Sequence, residues 1–375
     1  MNRSVRIPIV GRLGTTGLVY VALVAIVVVA AVLVAFRGQN LFSESNVVDM
    51  LGRSSVLGFV AIGQTLVIIC RSLDLSVGYV VALSSLVAAT TMDGDPSRIP
   101  LGVLAVLLVA GLIGLVNGLA ITKLRVNAFI TTLGMGLIIK GYLDTRFQGP
   151  EGAVPAEFQL FGYMRIGVLP LSTLVMLAVA VLAIVLLRAT RVGYHMYAVG
   201  GDTDVARMSG IRTDRTVITA HVFCAVTAGL AGLLLAARFG TGSGERVYRS
   251  GYELDSIAAV VLGGTNLLGG WGGVAGTIAG VLILAVLDSV FNLLAVNPFF
   301  KDVLRGVVVI AAVALYARHR FRRNADRDRF AGDGHPSTPR SGPGDPASAT
   351  DPDPPPDGRP DPTGDVTSAE PGGRS

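Results

Sequence analysis

Apolar and polar positions in this chain alternate by whole segments, not by single residues. Runs of about 20 apolar residues recur, the length a helix needs to cross roughly 30 Å of hydrocarbon, with short polar or glycine-rich stretches between them. The pattern predicts ten spans: residues 17–36, 47–70, a third from a polar hinge to residue 89, 101–121, 127–147, 167–187, 216–237, 252–270, 274–294 and 302–317. The first is rich in Val and Ala and carries no charge. The fifth is weaker, interrupted by Thr131, Thr132 and Lys140. The eighth opens with Glu253 and Asp255 and ends among glycines. The expected fold is an all-α integral membrane protein of about ten transmembrane helices, some broken or re-entrant. Its parts are an N-terminal segment at 1–16, a membrane domain at 17–318 and a tail at 319–375.

Two polar stretches stand out. At residues 71–78 the second span breaks and the third begins almost at once, so irregular backbone lies at or just inside the membrane boundary. Such backbone is tolerated mainly where it lines a cavity or packs within protein. Asp74 at this hinge has two readings: a cap on the third span paired with Arg71, or a group facing a cavity, since an ionisable side chain at this depth needs a partner. The second stretch, residues 191–215 within a loop at 189–215, is the only long polar segment between spans. Gly200 and Gly201 open a short helix-like piece from about residue 202 to 209, capped by Asp202 or Thr203 and stopped by Gly210.

Composition agrees with a membrane domain. The chain has 375 residues, 51% hydrophobic and 15% charged, and a mean hydropathy of +0.61; a soluble domain carries about 25% charged residues. The net charge of +5 follows from Lys and Arg at span ends, the positive-inside bias, and calls for membrane lipid rather than nucleic acid as the surrounding partner. That bias puts both termini and the 189–215 loop on the cytoplasmic side of a multi-pass protein. The basic N-terminus leads into the first run without a small-residue cleavage site, which reads as an uncleaved span. The tail, rich in Pro, Asp, Gly, Ser and Thr, cannot bury enough apolar surface to order itself.

Chemistry is mostly excluded. The nucleotide-binding Gly-Lys-Ser/Thr loop is missing: the three lysines are Lys123, Lys140 and Lys301, and none follows a glycine. His195, His221, His319 and His335 are scattered, and Cys70 and Cys224 suit neither a disulfide nor a metal. The polar groups inside spans are the remaining candidates. Gln64, Thr65, Asn117, Thr131, Thr132, Asn266 and Asn292 each suit hydrogen bonding between helices. As a set, with Asp74, Ser76, Glu253 and Asp255, they suit a path for a hydroxyl-rich solute. The glycine pairs 263–264, 269–270 and 272–273 permit either close helix packing or a re-entrant turn. Residues 238–249 form a polar patch, a solvated loop or a docking surface.

Four stretches carry a resemblance: IGQTLVIICRSLDLSVG, GLVNGLAITKLRVNAFITTLGMGLIIKG, YAVGGDTDVARMSGI and GYELDSIAAVVLGGTNLLGGWGGVAGTIAGVLI. In that order they resemble the permease subunits of bacterial monosaccharide ABC importers of the ribose, xylose and galactose type, in the superfamily that includes branched-chain amino acid permeases. The match covers about residues 47 to 318. It implies a dimer with a second copy or paralogue, separate ATP-binding cassette subunits that hold the ATP, and an extracytoplasmic solute-binding protein. It also implies that Gly200, Gly201, Ala206, Arg207, Met208, Ser209, Gly210 and Ile211 form the helix that docks on the ATPase. The chain departs from the family pattern at Asp202, Val205 and Met208, and at Arg71, where the family has a glycine.

Overall fold

The structure, a computed structural model, describes residues 15–147 and 149–297, with positions 300, 303, 306 and 307 beyond them. The tail 319–375, most of the tenth expected span and residues 1–14 lie outside the described residues. What is described is mostly helical: α1 (Thr15–Ala35), α2 (Glu44–Ile69), α3 (Val77–Met92), α4 (Ile99–Lys123), α5 (Ala128–Arg146), α6 (Ala156–Tyr163), α7 (Leu171–Ala189), α8 (Arg191–Gly201), α9 (Thr203–Met208), α10 (Thr213–Phe239), α11 (Gly244–Tyr248), α12 (Tyr252–Leu262) and α13 (Val274–Leu293). A two-residue hairpin, β1 (Arg165–Ile166) with β2 (Leu169–Pro170), leads into α7.

Among the described residues six helices are long and apolar enough to cross a membrane: α1, α2, α4, α7, α10 and α13. α3 is apolar but has only 16 residues, α12 has only 11, and α5 carries Lys140, Asp144 and Arg146. Three expected boundaries are corrected. The sixth span begins at Leu171, because residues 165–170 form the hairpin. The eighth segment is helical only to Leu262, because Gly264, Gly269, Gly270 and Gly272 adopt positive φ that a helix cannot contain. The loop at 189–215 is largely helical, since α8 fills residues that the polar pattern left as connector.

Apolar contact with lipid is as good as apolar contact with protein, so close packing and interhelical hydrogen bonds hold such helices together. The burial pattern follows this rule. α2 is the central helix, with 94% of its most apolar window buried, against 17% for α1 and 22% for α4. α10 presses directly on α2. A Cβ at Gly63 would lie 2.1 Å from Thr227 Oγ1 and 2.7 Å from the Cα of Cys224, so only glycine permits this approach. On α4 the buried positions Gly102, Val106, Ala110, Gly114 and Gly118 recur every fourth residue and meet α3 and α10, while Leu101, Leu104, Leu108 and Leu112 are exposed on the other side.

Candidate functional site

Two helix breaks meet at one end of the domain. The first lies between α2 and α3, at residues 70–76. Its backbone turns through Arg71 at φ +62, an exposed side chain in the left-handed region. The second lies between α12 and α13, at residues 263–273. They are bonded directly: the Gly270 N–H donates to the Ile69 carbonyl at 2.9 Å.

α8 is seated on both breaks. Its Tyr197 hydroxyl donates to the Gly272 carbonyl at 2.8 Å, and burial holds that phenol above its ordinary range. Gly200 is buried where a Cβ would come within 1.7 Å of the Ile69 oxygen and 2.6 Å of the Gly270 nitrogen. The chain then turns at Asp202, whose side chain accepts from the N–H groups of Asp204 at 2.9 Å and Val205 at 3.0 Å, capping α9. Of the two caps expected, Asp202 is the one used. Gly210, at φ +82, follows the last turn. α9 is a short projecting helix: Ala206 is buried, whereas Val205 and Met208 are exposed, Met208 at 80%.

The hinge at 70–76 is held by side chains from three other helices. Asp74 is fully buried. Its Oδ2 lies 3.2 Å from His221 Nδ1 on α10, and its Oδ1 accepts from the Ser76 N–H at 2.9 Å and the Ser76 hydroxyl at 2.6 Å. His221 Nε2 lies 2.9 Å from Ser72 Oγ. Asn117 on α4 donates to Ser76 Oγ at 3.0 Å, and the Leu75 N–H donates to Thr132 Oγ1 on α5 at 3.1 Å. The partner of Asp74 is therefore His221, not the exposed Arg71. Serine, histidine and aspartate here have the connectivity of a hydrolytic triad. Ser72 is only 6% exposed and His221 not at all, so no substrate carbonyl reaches the hydroxyl in this conformation, and the cluster works as a polar knot.

The expected path residues separate into groups. Gln64, Thr65, Asp74, Ser76, Asn117 and Thr132 are buried, and all of them bond between or within helices. Thr65 meets Thr277 on α13 at 2.7 Å, and Gln64 Oε1 accepts from Cys224 at 3.6 Å. Gln64 Nε2, Asn117 Oδ1, Thr131 Oγ1 and Glu253 Oε2 are buried without a hydrogen-bond partner. Asn266 shapes the second break, donating to the Gly269 carbonyl at 3.2 Å. Asp255 and Asn292 are elsewhere, in a cleft of about 660 Å³ between the start of α2, the end of α10, the start of α12 and the end of α13. These are the helix ends remote from the two breaks. In the cleft, Asp49 pairs with Arg53 at 2.7 Å and with Arg238 at 3.6 Å. Arg238, expected in a polar patch, thus closes onto α2.

Sequence reasoning passed over His221 and Ser72. A usable signal was present: Asp74 is a carboxylate at membrane depth, which demands a partner, and His221 is an ionisable residue inside an apolar run.

A family profile described as a branched-chain amino acid transport system permease component matches residues 46–313. The chain belongs to this permease family. Both breaks, α8, α9 and the polar knot lie inside the matched region. Relatives agree over most of the permease. The ribose import permease protein RbsC of Escherichia coli is 37% identical over 297 residues, covering 78% of this chain and 91% of that protein. The galactose/methyl galactoside import permease protein MglC of Escherichia coli is 33% identical over 325 residues, covering 80% and 95%. The RbsC protein of Bacillus subtilis is 35% identical over 295 residues, covering 76% and 89%. No solved structure matches the chain.

Proposed function

We propose that this chain is the transmembrane permease subunit of an ABC importer that moves a monosaccharide across the cytoplasmic membrane, driven by separate ATP-binding subunits. It works as a dimer with a second copy or paralogue, receives solute from an extracytoplasmic binding protein, and has both termini in the cytoplasm. It is not itself an enzyme. The solute class follows the names of the relatives, which are sugar import permeases.

The observation that carries the mechanism is the seating of α8 on both helix breaks. A force applied to α9 enters α8 at Asp202, reaches the Gly200 contact, and there meets the Ile69–Gly270 bond that joins the two breaks. α9 offers what a docking element needs: a capped helix, a fixed stop, and exposed Val205, Arg207 and Met208. Gly200, Gly201, Ala206, Arg207, Met208, Ser209, Gly210 and Ile211 would form the coupling segment, with Gly200 anchoring it, Gly201 leading on to α9, buried Ala206 holding α9 against the domain, and the rest meeting the ATPase. The remote cleft, of a size within the roughly 300–1,000 Å³ typical of small-molecule sites, would be the side on which solute arrives. Closure of the ATPase pair would tilt helices around the breaks, a rigid-body switch, and alternate access to the two sides.

The test is reconstitution. In vesicles the chain alone carries no sugar; with ATPase subunits and binding protein it carries sugar only while ATP is hydrolysed. Steady flux without the ATPase overturns the proposal. A second reading, uptake of an amino acid, is favoured by the family's description and by the paired charges of the cleft; radiolabelled uptake across sugars and amino acids in a deletion strain separates the two.

A further inference from the structure

We infer that His221 is the joint through which α10 drives the hinge between α2 and α3, a positioning role on which coupling depends. The inference rests on the reading of α9 as the docking helix and goes beyond it.

α10 starts at Thr213, five residues after α9 ends at Met208. His221 is eight residues further on, roughly 12 Å along the helix axis at 1.5 Å per residue. α10 is a continuous helix to Phe239, so displacement of its first turn reaches His221 undiminished. There the imidazole holds the hinge with both nitrogens. Nε2 takes Ser72 and Nδ1 takes Asp74, two positions on the irregular segment, which fixes the ring and the segment against each other in two directions. The opposite side of the segment is bound to α4 through Asn117 and Ser76, and to α5 through Thr132 and Leu75. α4 is itself tied to the start of α10 by Lys123 and Asp214 at 2.7 Å. Movement of α10 relative to α5 therefore loads the hinge through His221.

The burial of the knot makes it a tie and not a catch. His221 and Asp74 have no exposed surface and Ser72 has 6%, so bulk solvent does not reach the knot to replace a broken bond. A buried carboxylate or imidazole left unpaired is costly, and a hydrogen-bonded network in such surroundings resists being opened one bond at a time. The hinge follows α10.

The experiment uses the complete importer, permease with ATPase subunits and binding protein, in vesicles, and reads solute carried per ATP hydrolysed. Absence of ATP-driven uptake by the unaltered complex would refute the permease reading itself, before any variant is compared. His221→Ala is expected to lower solute per ATP by about tenfold to a hundredfold, with the ATPase subunits still co-purifying. Ser72→Ala, which removes one neutral bond, lowers it about fivefold. His221→Gln keeps a polar group towards Asp74 and recovers part of the loss. Thr173→Val is the control: it cuts the buried Ser55–Thr173 bond of 2.9 Å between α2 and α7, which reduces the yield of folded protein and leaves solute per ATP unchanged. Should His221→Ala fail to fold, Ser72→Ala and His221→Gln decide the matter. An unchanged ratio in both of these, or an equal fall in Thr173→Val, overturns the inference.

Discussion

Gly200 and Gly201 are neighbours in sequence and opposites in structure, and alanine at each gives the sharpest test of how α8 is seated. At Gly200 the added Cβ falls 1.7 Å from the Ile69 oxygen, 2.6 Å from the Gly270 nitrogen and 2.9 Å from the Ile69 carbonyl carbon. All three are backbone atoms, so no side chain can swing aside. Either α8 withdraws by roughly 1.5 Å to restore ordinary contact, or the Gly270–Ile69 hydrogen bond breaks. Overpacking of this kind costs about 1–3 kcal/mol, and a buried amide left without its acceptor about 1–3 kcal/mol more. Better helix propensity returns about 1 kcal/mol. Gly200→Ala is therefore expected to destabilise by about 1–5 kcal/mol. At Gly201 a Cβ meets nothing within 4 Å, and φ is not positive. Gly201→Ala should stabilise by about 0.5–1 kcal/mol. The measurement is thermal unfolding of the purified permease in detergent, followed by loss of the monodisperse elution peak, together with uptake in the reconstituted importer. Gly200→Ala lowers the midpoint and uptake; Gly201→Ala leaves both at or above the original values. A Gly200→Ala protein as stable as its parent, or a Gly201→Ala protein as damaged as Gly200→Ala, would refute the seating of α8 on the two breaks.

Further outcomes follow from the same geometry. Asp202→Ala removes the acceptor for two N–H groups of α9 at a cost of about 1 kcal/mol; co-purification of the ATPase subunits should weaken while the thermal midpoint barely moves. Gly210→Val forces a β-branched residue into φ +82, about 1–2 kcal/mol of backbone strain with open space around the side chain, so uptake per ATP should fall without loss of protein from the membrane. Arg207→Glu reverses a half-exposed charge whose ion pair with Asp204 is long at 3.7 Å and worth little to stability; it too should lower uptake per ATP and spare the fold. Gly280→Ala would bring a Cβ within 2.0 Å of the Ala259 carbonyl, separating α12 from α13, and the yield of folded protein should drop sharply.

The spans that could be read from apolar length alone were those whose whole circumference is apolar. Residues 17–36 correspond to α1 because lipid and protein neighbours make the same demand on Val and Leu. Apolar length misleads where helix and membrane crossing part company. α12 stops at Leu262 although the apolar pattern runs on to residue 270, because four left-handed glycines set the backbone there and hydropathy does not register φ. α8 was missed for the opposite reason. It is polar enough to look like a connector, and its helix is stabilised by Thr190 at its start, by the close approach of Gly193 to Leu186 and Leu187, by burial of Met196 in the core, and by the contact of Gly200 with Ile69 and Gly270. In the site, Asp74 was visible as a carboxylate in need of a partner, but the partner could be named only once α10 was laid beside the hinge.

The two ends of the domain are built from different materials, and the difference bears on how solute could be moved one way. At the junction of the two breaks the side chains of the knot are buried against one another, the backbone is irregular in two places, and glycines let the segments touch: Gly200, Gly270 and Gly276 all sit against main-chain atoms. Contacts of that kind are short-range and lose their energy over a fraction of an ångström, so an assembly of them has few intermediate positions. At the remote end the cleft is held by Asp49 and the long side chains of Arg53 and Arg238, with partly exposed charges, whose attraction falls off slowly with distance and tolerates rearrangement. On the proposed function, a tight, discrete junction at one end and a compliant charged cleft at the other is the arrangement in which a push on α9 would be converted into a switch between positions while the far side adapts to what it receives. The reverse arrangement would absorb the push before it reached the hinge.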